Sequence, residues 1–180
     1  MRIFQNRVAI AALGLAVLST LPVRAQDTTS DDKSFLKEAS EGNLFEVNLA
    51  KLALQKSQDS NVRKFAQQMI TDHEKLARDM KPLATKLGVK VASSPGIGDR
   101  AKYEELKLKS GISFDRAYVE TMVKDHNDDL KKFIEETQKT TNPEVKTAVS
   151  KAQDTIREHT EMIDKIAKMG GIDTPPMPTN

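Results

Sequence analysis

Apolar residues recur along this chain at steps of three and four, with charged and polar residues between them, over four long stretches. That rhythm predicts amphipathic helices, and no segment gives a convincing strand. The first helix is expected over residues 30–57, with Asp31 and Asp32 in its first turn, where carboxylates favour the positive end of the helix dipole. Asp59 is a good N-cap for a second helix reaching Leu87, just before Gly88. Pro82 lies inside it and is expected to kink or end it. The loop signal Ser93-Ser94-Pro95-Gly96 precedes a short helix over residues 99–109. A third long helix is expected over residues 113–139, after the Ser110-Gly111 break. Asn142-Pro143 then places a cap before a proline at the first helical position, opening a fourth helix that Gly170-Gly171 ends.

A faint internal repeat organises these helices. Asp59-Ser60-Asn61-Val62 resembles Asn142-Pro143-Glu144-Val145, each a cap that opens a helix whose first apolar residue is valine. The chain therefore reads as two helical hairpins with a long connection between Gly88 and Ile112. Hairpins with apolar stripes bury them best against each other. The expected fold is all-α: a ferritin-like four-helix bundle made of two helical hairpins, with a long connection carrying a short extra helix. That connection could carry the chain back along the bundle, and an up-down-up-down order is the alternative.

The amino terminus changes how charge is read. Residues 1–25 have a basic start (Arg2, Arg7), an apolar run from Val8 to Leu21 and the small-residue exit Val23-Arg24-Ala25. This is the layout of a secretory signal peptide, so the protein is expected to be exported, periplasmic or secreted. The run is short for a membrane span, so no stable span is expected after cleavage. The whole chain of 180 residues holds 28 Lys+Arg and 26 Asp+Glu. Three of the basic residues and none of the acids lie in the leader, which leaves 25 against 26, a net charge of −1. Nothing then supports nucleic-acid binding. The chain has no cysteine, which excludes disulfides and thiolate chemistry. Residues 26–33 read as a disordered lead-in, 34–171 as the bundle and 172–180 as a flexible tail.

The three histidines of the chain each fall within an apolar stripe, one per helix. His73 follows Val62, Phe65 and Met69; His126 follows Tyr118 and Met122; His159 follows Ala152 and Ile156. The first helix has the stripe Phe35, Ala39, Gly42, Glu46, Leu49, Ala53, with a carboxylate in the corresponding place. In an antiparallel hairpin, residues equidistant from the turn lie level. The midpoint of Glu46 and His73 falls between Asp59 and Ser60, and that of His126 and His159 between Asn142 and Pro143. At 1.5 Å per residue the pairs lie roughly 20 and 25 Å from their turns, in a bundle roughly 40–45 Å long. Glu46, His73, His126 and His159 are therefore expected to converge near its middle.

Three imidazoles and a carboxylate can hold one transition metal ion, zinc, iron or copper. Asp129, three residues after His126, is the best further carboxylate ligand. Asp72, Asp125 and Glu158 immediately precede the histidines and could orient them, but adjacent helical positions point about 100° apart. Met69, Met122 and Met162 recur near the histidines, which suits copper(I) but equally suits core filling. A metal-free alternative is a buried neutral histidine hydrogen-bonded to a carboxylate, with Glu46 and His73 as the pair. Tyr103 and Tyr118 read as packing or interface residues before redox groups.

The segments FLKEASEGNLFEVNLAKLALQKSQDSNVRKFAQQMITDHEKL, SGISFDRAYVETMVKDHNDDLKKF and IREHTEMI resemble the bacterial domain-of-unknown-function family 4142, over about residues 34–167. The resemblance implies an exported, ferritin-like helical bundle and supplies no activity. Ferritin-like di-iron proteins carry Glu-x-x-His on two helices. Here Ile70, Val123 and Ile156 stand three before the histidines, so the bridging glutamates of a di-iron centre are missing. The sequence supports an exported bundle binding one metal, with a role in metal handling or envelope stress. The alternative is a metal-free structural or protein-interaction module, with a protein partner or homo-oligomer left open. No serine triad, thiol or phosphate loop supports an enzyme.

Overall fold

The computed structural model describes residues 28–179; the expected signal peptide lies outside the described residues. Among these are five helices: α1 Ser30–Lys56, α2 Ser60–Lys86, α3 Ile97–Lys107, α4 Gly111–Lys139 and α5 Pro143–Met169. A reciprocal capping box starts α1. Thr29 Oγ1 accepts from the Asp32 N–H (3.1 Å), and the Asp32 carboxylate accepts from the Thr29 N–H (2.7 Å). Residues 30–33, which the sequence assigned both to the lead-in and to the start of the first helix, form the first turn of α1. Pro82 does not end α2, which continues from that exposed position to Lys86. The α3–α4 connection is tight because Gly111 takes a positive φ of 53°, open to a residue without a side chain.

The two hairpin turns repeat each other atom for atom. Ser57 and Thr140 each donate their N–H to the carbonyl four residues back, Ala53 and Glu136. Their hydroxyls then accept from the N–H of the next cap, Asp59 at 3.1 Å and Asn142 at 3.3 Å. Each cap oxygen accepts from two N–H groups of the following helix: Asn61 and Val62 for Asp59, Glu144 and Val145 for Asn142.

Contacts at the helix ends fix the chain's course. Lys56 Nζ, at the end of α1, donates to the Lys109 carbonyl just before α4 (2.9 Å). Lys139, at the end of α4, pairs with Asp31 at the start of α1 (2.6 Å), and Lys86 of α2 pairs with Glu144 of α5. So α4 runs antiparallel to α1, and α5 antiparallel to α2. The crossover between the hairpins, residues 87–110 with α3, carries the chain back along the bundle. That is the connection expected of a ferritin-like order, not of an up-down-up-down one.

Two apolar clusters fill the interior. One gathers Leu49, Phe65, Met69, Phe114, Tyr118 and Met122 toward the α1–α2 turn. The other gathers Leu130, Phe133, Ile134, Val145, Val149 and Ile156 toward the α4–α5 turn. Each such side chain, fully buried, contributes about 1.5–3 kcal/mol. Residues 172–179, expected as a flexible tail, carry no helix and lie against the bundle. Ile172 joins the first cluster, and an Arg157 guanidinium N–H donates to the Pro178 carbonyl at 3.2 Å.

Candidate metal centre

Between the two apolar clusters lies a polar layer. It exists because α1, α2, α4 and α5 each interrupt their buried stripe with one polar residue at the same height. Glu46, His73, His126 and His159 are all buried, with exposures of 4%, 3%, 0% and 1%. One ring nitrogen from each histidine lies within 4.8 Å of the others, and among the described residues these three form the set able to hold a metal ion. The ring centroids stand 5.2 Å (His73–His159), 5.7 Å (His126–His159) and 6.0 Å (His73–His126) apart. Phe65 walls the group edge-on, 5.9 Å from His126 and 6.3 Å from His159.

Hydrogen-bond partners determine which nitrogens carry protons. His126 Nδ1 lies 3.1 Å from the Met122 carbonyl, which only accepts, so Nδ1 donates. His126 Nε2 is then a bare lone pair, buried and without a partner. His159 Nε2 lies 2.8 Å from Asp72 Oδ2 and donates to it. His159 Nδ1 therefore accepts, from His73 Nε2–H at 3.2 Å. His73 Nδ1 is left to accept, and Glu46 Oε2 stands 3.1 Å away. Burial, then the charges of Asp129 and Asp125, hold the Glu46 carboxyl well above the usual range. In its neutral form the Glu46 carboxyl offers that nitrogen a donor. Asn43 shares that nitrogen at 3.1 Å, and its amide can turn oxygen or nitrogen toward it.

The same burial keeps the histidines neutral. His126 is pushed down to about 3, by desolvation and then by His159. His73 is lowered well below the ordinary value by burial and the other two rings. His159 is lowered by burial, with Asp72 opposing. Neutral imidazole is the ligating form.

The structure brings together the four residues placed level by the sequence, with a division of labour. Glu46 touches Nδ1 of His73 and, at 3.4 Å, Nδ1 of His126, on the opposite side of each ring from Nε2. It lies behind the rings, on their Nδ1 side. Asp129 does not join the histidine set. Its carboxylate sits by Lys132 Nζ at 3.3 Å, and a Cβ at Gly42 would stand 3.7 Å from its Oδ2. It lines an acidic recess of about 320 Å³ beside Glu46, shared with Asp99, Asp125 and Asp128. Burial and the Asp129 charge push Asp125 up to about 7. Met69 and Met122 are apolar filling in the first cluster. Tyr118 is buried against Phe65 and Phe114, and Tyr103 packs on the same cluster.

Asp72 was among the residues expected to orient a histidine, while Asn43 and Phe65 escaped the sequence reading as parts of this layer. Asp72 serves His159 on α5, not its neighbour His73. Asn43 lies one turn before Glu46, a spacing that could have found it. Phe65 was assigned to the core stripe, and it is also the wall of the histidine group.

Fold and site together define an all-α bundle with a buried tri-histidine layer. The family described as "Domain of unknown function (DUF4142)" matches residues 18–166, and the chain belongs to it. No curated protein matches the chain. Two solved structures share the fold. A DUF305 fragment from Deinococcus radiodurans is 15% identical with a TM-score of 0.70, covering 79% of this chain and 99% of its own. A candidate secreted DUF305 protein from Streptomyces coelicolor is 13% identical with a TM-score of 0.67, covering 82% of this chain and 97% of its own. Among the described residues no helix is long and apolar enough to cross a membrane.

Proposed function

We propose that this is an exported protein that binds one transition metal ion through His73, His126 and His159, and that it serves metal handling or envelope stress protection. The observation that carries the reading is the bare, partnerless Nε2 lone pair of buried His126, beside two further imidazole nitrogens. A buried acceptor without a donor costs about 1–3 kcal/mol, and a metal ion removes that cost. Three imidazoles leave a fourth position open, which suits zinc, iron or copper. Asp72 supplies His159 with the outer hydrogen bond that a ligating histidine requires, and Glu46 stands beside His73 Nδ1. The acidic recess beside Glu46 favours the approach of cations. Asp129 is assigned to that recess and not to the ligand set.

The test is a titration of the mature protein with Zn²⁺, Cu²⁺ and Fe²⁺, beside the triple variant H73A/H126A/H159A. One ion per chain, lost in the triple variant, is expected. Equal binding by both proteins would sink the reading.

A further inference from the structure

A second feature opens on the other side of Glu46 and His73. Five alanines, Ala39, Ala77, Ala84, Ala92 and Ala152, come from α1, α2, the crossover and α5. Their short side chains leave a chamber of about 140 Å³ between the hairpins. Leu76, Met80, Phe133 and Ile156 give it apolar walls, and Asn43, Glu46 and His73 give it one polar end. Its outer side is bounded by the crossover at Val91 and Ala92, where the Ala92 N–H donates to Ser40 Oγ at 2.9 Å. His126 and His159 do not line it.

Size and polarity together select an occupant. An apolar cavity of about 150 Å³ holds a benzene ring, so this chamber takes a single aromatic ring. A ligand-sized apolar chamber with a few convergent polar groups is the usual form of a small-molecule site. Its polar end offers carboxyl and amide oxygens, which suit a donor on the ligand. A cationic or anionic head would pay a large desolvation cost among these walls. We infer that the chamber binds a neutral single-ring phenol, its hydroxyl toward Asn43 and Glu46 and its ring between Leu76, Met80, Phe133 and Ile156. This site adjoins the proposed metal site and does not require the ion. It shares Asn43, Glu46 and His73 with that layer.

The experiment uses metal-free mature protein titrated with phenol, benzene and benzoate, followed by calorimetry and by methyl NMR. Saturable phenol binding is expected, about tenfold or more tighter than benzene, with no benzoate binding. Ala39→Leu and Ala152→Leu fill the chamber and should each weaken phenol at least tenfold while leaving the metal titration unchanged. In the unaltered protein, phenol should shift the methyl signals of Ala39 and Ala152. No saturable binding, equal benzene affinity, or shifts confined to other residues would overturn the inference, even if the filled variants fail to fold. Loss of metal binding in the triple histidine variant bears on the metal reading alone.

Discussion

His159 donates Nε2–H to Asp72 Oδ2 at 2.8 Å, across the interface of α5 and α2. This bond sets the proton pattern of the whole layer, because it leaves His159 Nδ1 as an acceptor facing His73. Outer-layer carboxylates on ligating histidines are worth about 10–100-fold in metal affinity. Asp72→Ala should therefore lower affinity by about that factor, and should cost about 1–3 kcal/mol of stability by leaving the buried His159 Nε2–H without its acceptor. A metal titration with a parallel urea melt checks both. Unchanged affinity would mean that Asp72 does not orient the ring.

Where Glu46 holds its proton, metal entry releases one. In the metal-free layer the lone pair of His73 Nε2 is blocked by the proton it donates to His159. An ion can use both nitrogens once that proton leaves and the Glu46 proton passes to His73 Nδ1. Glu46 then accepts from that nitrogen as a carboxylate. His126 and His159 keep the protons they give to Met122 and Asp72. One proton is lost per ion along this route, so apparent affinity should rise with pH. Calorimetry in buffers of different ionisation enthalpy counts the proton directly, and a count of zero refutes this tautomer chain.

The repeated turns predict paired cap energies. Asp59 and Asn142 each satisfy two N–H groups at opposite ends of the bundle. Asp59→Ala and Asn142→Ala should each cost about 1 kcal/mol, up to about 2. The double variant should lose the sum within about 0.5 kcal/mol, because the sites share no partner. Denaturant melts of the three variants decide it.

Those turns also explain why so much was legible. Each hairpin turn is marked by a cap residue with valine three further on, which fixed the two fold axes of the level argument. Roughly 20 Å from one end and 25 Å from the other meet within a bundle roughly 40–45 Å long. Glu46, His73, His126 and His159 could therefore be placed together without coordinates. Asp72 could not. Its 100° offset takes it out of the α2 stripe and toward α5, and a single-helix reading holds no information about the neighbour. Asp129 shares the inward face of α4 with His126, but Gly42 leaves space for its carboxylate on the α1 side and Lys132 holds it there. The chamber was invisible for a related reason. Alanines on separate elements look like ordinary core until the packing brings them together.

The sharpest separation of function from stability lies at His126. Its ring is held at about 3 when folded and has an ordinary value of 6.5. Between those values the unfolded chain takes a proton that the folded chain refuses, so stability is full above about pH 6.5 and falls on acidification toward 3. Asp125, raised to about 7, acts in the opposite sense: its contribution is present at low pH and fades as pH rises from 3.8 toward 7. Replacing His126 with leucine removes the first effect and keeps the second. It also removes a buried lone pair with no partner, which costs about 1–3 kcal/mol. Metal-free His126→Leu should thus equal or exceed the parent protein in stability at pH 7, lose less on acidification, and bind no metal. Melts from pH 4 to 8 with a zinc titration test all three. A variant that is less stable at pH 7 by several kcal/mol would show that His126 is kept for the fold and not for an ion.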